Sequence, residues 1–254
     1  MKSNFLRKFL KLKDVQTAIE QDDIGGVYEI LNNTVDASKT FIPPRRVAEV
    51  TKYLLKSMSA EELLSKVTRI ADWTFDCMKM PKTVVIPKNI SEMGYGCFSY
   101  CKGVEKVMFE SGCNVEKIDC WTFEICEDLK VVDLGNCLQL KEICEDAFIH
   151  CTSLTDVVLP PNLERIAGFG DCFSLTKFVV PSKVKVIGGG AFWNSESMTS
   201  VTIPVSVKVI GHSAFAGCTS LKDVYYDGTK EQWEKIKIYD GNDSLLSAEL
   251  HFAE

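Results

Sequence analysis

Only three of the 254 residues are histidine, and no stretch approaches the uninterrupted apolar length of a membrane-spanning helix. The opening residues 1–11 alternate bases with apolar side chains, so they lack the hydrophobic run of a secretory signal and read as an amphipathic helix. Basic residues are too scarce for a nucleic-acid or anionic-membrane surface. There are 29 Lys and Arg against 35 Asp and Glu, a net charge of −6. Paired C-x₂₋₄-C knuckles, the usual mark of a zinc site, are missing except for Cys97 and Cys101. The glycine run at 188–190 has no phosphate-loop lysine and falls where the chain turns. No Ser-His-Asp set or carboxylate pair stands out. These absences predict a protein with no cofactor, no metal, no catalytic residue, no membrane and no nucleic acid to bind.

What is present is the balance of a soluble globular chain, 46% hydrophobic and 25% charged. The 11 cysteines, an odd count without an export signal, fit a reducing compartment, so a cytoplasmic location is expected; a chain whose leader had been removed would be secreted instead. Charge is uneven. Residues 110–146 carry ten acids against three lysines, and Glu124, Glu127, Asp128, Glu142, Glu145 and Asp146 form a candidate acidic patch for a partner. The plainer account of the same run is a solvated face.

The dominant signal is repetition. Phe75, Phe98, Phe123, Phe148, Phe169, Phe192 and Phe215 recur at spacings of 23, 25, 25, 21, 23 and 23 residues. Three residues after each comes Met78, Cys101, Cys126, Cys151, Cys172, Ser195 or Cys218. A further six brings a β-rich triplet such as Val157-Val158-Leu159 or Val201-Thr202-Ile203. Four triplets are followed at once by Pro87, Pro160, Pro181 and Pro204, each ending its strand because proline cannot donate to a ladder. One such turn cannot bury enough apolar surface to order itself, whereas stacked turns share one continuous core. The predicted architecture is an α/β solenoid. The 25-residue turns lengthen near Ser111-Gly112 and Gly135-Asn136, and the 21-residue turn is short between Ile166 and Phe169.

The segment "IPVSVKVIGHSAFAGCTSL" resembles the BspA-like, or Treponema-type, leucine-rich repeat family, whose pattern I-P-x-x-V-x-x-I-G-x-x-A-F-x-x-C-x-x-L it meets nearly position for position. The tail from Asp227, with Trp233, Ile236, Gly241-Asn242, Leu245 and Ala248, is similar to that family's closing segment. The resemblance implies a right-handed α/β leucine-rich-repeat superhelix that binds proteins, often at bacterial surfaces or in mucosal microbes and parasites. The expected organisation is a helical N-terminal cap over 1–66, about seven turns over 67–226, and a C-terminal cap over 227–254.

Helical spacing supports that cap: Val15, Ala18 and Ile19; then Val27, Tyr28, Ile30 and Leu31; then Val47, Val50 and Leu54 after Pro43-Pro44. Ser59 to Glu62 reads as a capping box before Leu63, Leu64 and Val67. The segment is either a lid on the solenoid or a separate effector or oligomerisation piece. Five cysteines fill one repeat column as small buried hydrophobes, while Cys97, Cys113, Cys120, Cys137 and Cys144 lie off it.

Strand alternation then names a surface. If the triplet ends face inward, Val85, Met108, Asp133, Val158, Val179, Thr202 and Tyr225 face out, a stripe more apolar than a solvated sheet needs. β-propensity alone also accounts for its valines. The expected function is a noncatalytic scaffold binding a protein partner by this stripe or by the acidic turns. The alternatives are a bacterial surface adhesin and a small-ligand or metal-dependent activity in the cysteine-rich middle turns.

Overall fold

The computed structural model describes residues 9–27 and 44–253. The first eight residues of the expected amphipathic opening, and Tyr28, Ile30 and Leu31, lie outside the described residues. Among the described residues, three helices with both ends placed precede the repeats. In α1 (Lys13–Glu20), Val15 and Ala18 are buried, and in α2 (Pro44–Leu54), Val47, Val50 and Leu54 are. The third, α3 (Ala60–Ser65), starts where Ser59 Oγ accepts the Glu62 amide at 3.0 Å. It ends where the Asn89 side chain donates to the carbonyls of Leu64 and Val67, at 3.0 and 2.6 Å. That asparagine belongs to the first turn of the solenoid, so one side chain satisfies the helix end and ties it to the repeats. Leu63, Leu64 and Val67 continue the solenoid core, which closes its N-terminal end.

Each turn then contributes two strands to two parallel ladders. The longer strands are β2 (Thr83–Ile86), β4 (Lys106–Phe109), β6 (Val131–Asp133), β8 (Asp156–Val158), β10 (Lys177–Val179), β12 (Ser200–Ile203) and β14 (Asp223–Tyr226). The shorter ones are β1 (Arg69–Ile70), β3 (Glu92–Met93), β5 (Lys117–Ile118), β7 (Glu142–Ile143), β9 (Arg165–Ile166), β11 (Val186–Ile187) and β13 (Val209–Ile210). The tail does more than cap. It folds as α4 (Lys230–Trp233), β15 (Lys237–Ile238), α5 (Asp243–Ser247) and β16 (Glu249–Phe252). There β15 pairs with β13 and β16 with β14, so an eighth turn extends both ladders.

The phenylalanine column forms the spine. All seven rings are buried, and successive centroids lie 4.9–6.0 Å apart with interplanar angles of 9–29°. The first six phenylalanine amides each donate to the carbonyl of the residue preceding the next phenylalanine, at 2.7–2.9 Å. The eighth turn offers the seventh no following spine phenylalanine. Instead Phe215 N donates to Asn242 Oδ1 at 3.0 Å, and the amide of Asn242 donates to the carbonyls of Gly211 and Tyr239. A buried side chain thus stands in for the backbone carbonyl that precedes the next phenylalanine in the other turns.

The cysteine column has a polar task as well as a packing one. The Cys101, Cys126, Cys151, Cys172 and Cys218 thiols each donate to the carbonyl of the preceding turn's phenylalanine, at 3.1–3.5 Å. Ser195 does the same with its hydroxyl at 3.0 Å, which explains how serine replaces cysteine there. Met78 fills this position in the first turn, where no earlier phenylalanine carbonyl waits for a donor.

Both ladders are interrupted once. β3 and β5 do not pair, and neither do β8 and β10. The second break coincides with the 21-residue turn, whose corner is pulled tight at Gly168. There φ is +88° and a Cβ would stand 2.4 Å from the Cys144 carbonyl. It also coincides with a size change. The inward residue that begins each triplet is valine in six turns and Phe178 in β10. That ring wedges between Phe169 and Phe192, 5.2 and 4.6 Å away, where the spine opens to its widest step of 6.0 Å.

Candidate functional site

Along the longer strands side chains alternate: β2 and β14 are inward at Val84, Ile86, Val224 and Tyr226 and outward at Val85 and Tyr225. Val85, Val158, Val179 and Tyr225 are exposed, while Met108, Asp133 and Thr202 are half-buried between their neighbours. The stripe is not continuous, because the break between β8 and β10 divides it. Val158 and Val179, the two most exposed members at 49% and 68%, stand on its two sides.

No ladder pairing joins β8 to β10. Asp156 and Val158 use their amide and carbonyl toward β6, as in Leu134 N to Val158 O at 2.8 Å. Val180 N bonds Thr202 O at 3.0 Å, so the alternate residues of β10 face β12. In a parallel ladder the intervening residues face the other way. Val157 therefore presents its backbone to the opening from one side, and Lys177 and Val179 from the other. Unpaired N–H and C=O groups along an edge form a template for another extended chain.

Several of the acidic positions meet individual donors. Glu142 and Glu145 converge on Arg165, the former at 3.2 Å from Nε. Glu124 accepts from Ser99 Oγ at 3.0 Å, and Asp128 from the Gly103 amide at 2.8 Å. Glu127 and Asp128 line a shallow cleft with Tyr100 and Lys102. Asp146 holds a left-handed turn, φ 58°. Much of the negative charge of this segment is thus tied to individual donors.

A cleft of about 600 Å³ opens at the first break, between β3 and β5. Asp72, Glu92, Tyr95, Asn114, Glu116 and Lys117 are among its walls. Beside it lie Trp73 and Trp121, with centroids 6.4 Å apart, and Tyr95 is 6.3 Å from Trp121. Trp73 lies over Gly96, at φ +54°, where a Cβ would come within 2.2 Å of the ring. The sequence does carry a signal for this cluster, since both tryptophans stand two residues before a spine phenylalanine.

Stacking also assembles cysteines that sequence spacing keeps apart. Cys137 Sγ donates to Cys113 Sγ at 3.3 Å, both buried. Cys120 and Cys144 meet Asp119, with ligand atoms all within 4.8 Å, and the Lys117 ammonium stands 3.3 Å from Asp119. Burial pulls Lys117 down, but Cys144 and Asp119 outweigh it and hold the ammonium above its ordinary value. Burial pushes the Cys144 thiol up to about 12. These three donors could ligate a soft divalent cation only by displacing that lysine. On the last turns Asp223, Glu249 and His251 also converge, with His251 Nε2 2.8 Å from Asp223 and its ring stacked on Tyr225.

The family model described as "BspA type Leucine rich repeat region" matches residues 50–168 and 141–242, in six copies. No curated protein matches the chain. Among solved structures, a leucine rich cell surface protein from Faecalibacterium prausnitzii is similar at 23% identity and a TM-score of 0.50, over 68% of this chain and 54% of that one. The chain thus spans about half the length of that protein. A leucine rich repeat protein of T. pallidum shares 25% identity at a TM-score of 0.46, over 68% of this chain and 90% of that one.

Proposed function

The chain belongs to the BspA type leucine rich repeat family, and on that footing we propose that it is a noncatalytic scaffold whose strand face takes an extended segment of a partner protein. The observation that carries this reading is the opening between β8 and β10. The ladder is not paired there, and exposed Val158 and Val179 flank the break. Backbone pairing supplies affinity in strand addition and alternate side-chain contacts supply specificity. The two valines offer those contacts. The acidic turns serve this reading less well, since Glu142 and Glu145 already share Arg165. We place the protein in a reducing compartment, a reading supported by the column thiols, which hold their carbonyls as S–H donors.

The test is affinity capture with the native chain and with a folded variant carrying Val158→Lys and Val179→Glu. Loss of a specifically captured protein in the variant supports the strand face; equal capture by both moves the binding surface to the acidic turns or the helical cap. A second reading, surface adhesion, draws on the Faecalibacterium protein's description as a cell surface protein. It uses the same face in another location, and surface labelling of intact cells distinguishes the two.

A further inference from the structure

We infer that Cys113 and Cys137 form an oxidation site, a thiol pair that hydrogen peroxide converts to a disulfide joining two neighbouring turns. Four turns make the corner after the longer strand with proline: the carbonyls of Pro87, Pro160, Pro181 and Pro204 accept the amides of Ile90, Leu163, Val184 and Val207. The two 25-residue turns lack that proline. In one of them Cys137 takes over its role, its carbonyl accepting the Leu140 amide at 3.0 Å. In the other, Cys113 sulfur accepts the Val115 amide at 3.5 Å. The thiols therefore occupy the corners that proline stiffens elsewhere, one above the other. At 3.3 Å each sulfur needs to move only a fraction of an ångström to reach a bonding length of about 2.05 Å. Adjacent strands of a sheet lie about 4.8 Å apart, a separation within the Cα range that disulfides span.

The donors at its sulfur single out Cys113 as the attacking group. The S–H of Cys137, and then the Val115 amide, hold the Cys113 thiol down to about 7 against its burial, while the same hydrogen bond and burial push Cys137 up. Both thiols are buried between exposed neighbours, Gly112 and Asn114 around Cys113 and Asn136 and Leu138 around Cys137. Burial of both sulfurs favours a small oxidant over a bulky disulfide. The Cys113 thiolate attacks one peroxide oxygen, the O–O bond breaks, and the departing hydroxide takes up a proton. Cys113 is left as the sulfenic acid. Cys137 sulfur then attacks Cys113 sulfur, the S–O bond breaks, and the leaving hydroxide takes the Cys137 proton to form the second water. Two thiols and one peroxide give one disulfide and two waters. The bond staples the long turns that carry Met108 and Asp133, and it does not depend on the partner-binding reading.

The experiment treats the reduced full chain with a modest excess of hydrogen peroxide, alkylates the remaining thiols after denaturation, and maps the peptides by mass. The expected result is one linked pair, Cys113 to Cys137, with alkylated thiols falling from eleven to nine. Cys113→Ser abolishes the link, and Cys137→Ser leaves a sulfenic acid on Cys113 that dimedone captures. A link confined to Cys120 and Cys144, a sulfenic acid that never resolves, or eleven thiols still free overturns the proposal. Should either variant fail to fold, the map of the unsubstituted chain decides alone.

Discussion

At the scale of single residues, the repeat is held by hydrogen bonds that hydrophobicity does not describe. Cys126 is fully buried, and its thiol is the donor that reaches the Phe98 carbonyl across the turn boundary. Leaving a buried carbonyl without a donor costs about 1–3 kcal/mol. Cys126→Ala is expected to lower stability by about that amount, and Cys126→Ser by less than about 1 kcal/mol, since a hydroxyl donates as Ser195 does in the same column. Urea unfolding of both variants checks this; equal losses would show that the sulfur matters only for its volume. The second residue after each spine phenylalanine adopts a left-handed backbone, from Cys77 through Tyr100, Ile125, His150, Asp171 and Asn194 to Gly217. Asparagine and glycine suit that geometry and a β-branched Ile125 does not. The sequence hides the regularity because no one residue type marks it.

At the scale of elements, the decisive feature is a missing ladder. β8 and β10 belong to consecutive turns whose other strands, β9 and β11, are paired in register. The opening is therefore local, and Phe178 is its wedge. Phe178→Val restores the residue found in the other turns and should let β10 close on β8, at a cost of lost ring burial. The expected sign is slower amide exchange at Lys177 and Val179, by at least about tenfold if the new bonds contribute about 1.4 kcal/mol. Partner capture should weaken in parallel. Unchanged exchange at those two amides would assign the break to the short turn at Gly168 instead.

At the scale of the whole molecule, stability is a sum over neighbouring turns, so groups that bridge turns carry pH sensitivity from one to the next. Glu105 lies between Lys82 and Lys130, 2.7 and 3.0 Å from their ammonium groups, and each of the three belongs to a different turn. Hydrogen bonds from Lys82 and then Lys130 hold its carboxyl below the ordinary 4.5. A carboxyl depressed in the folded state adds stability that is fully present above its unfolded value and is lost as pH falls through its folded one. The urea midpoint should decline on acidification below about 4.5, and the decline should flatten in the Lys82→Gln, Lys130→Gln double variant. The effect is modest and shrinks in high salt because the carboxyl is solvated. An identical decline in the double variant would remove this triplet as a source.

How much of this was legible beforehand divides along the range of the interactions. Period, inward and outward columns, turn lengths and the helical cap follow from the chain alone, because a 23-residue turn repeats its own local chemistry and each copy corroborates the others. The stripe from Val85 to Tyr225 was readable for the same reason. In the sequence the tail reads as a cap, because its strands β15 and β16 bring only two and four residues, too little pattern to announce an eighth turn. Everything that depends on one turn meeting another was decided by the tertiary structure: the Cys113–Cys137 contact, the tryptophan pair beside the first break, the capture of Glu142 and Glu145 by Arg165, and the unpaired edges around Phe178. Sequence fixes neighbours along the chain. Residues some 24 positions apart become neighbours only when turns stack, and their side chains settle by packing volume and hydrogen bonding across that boundary.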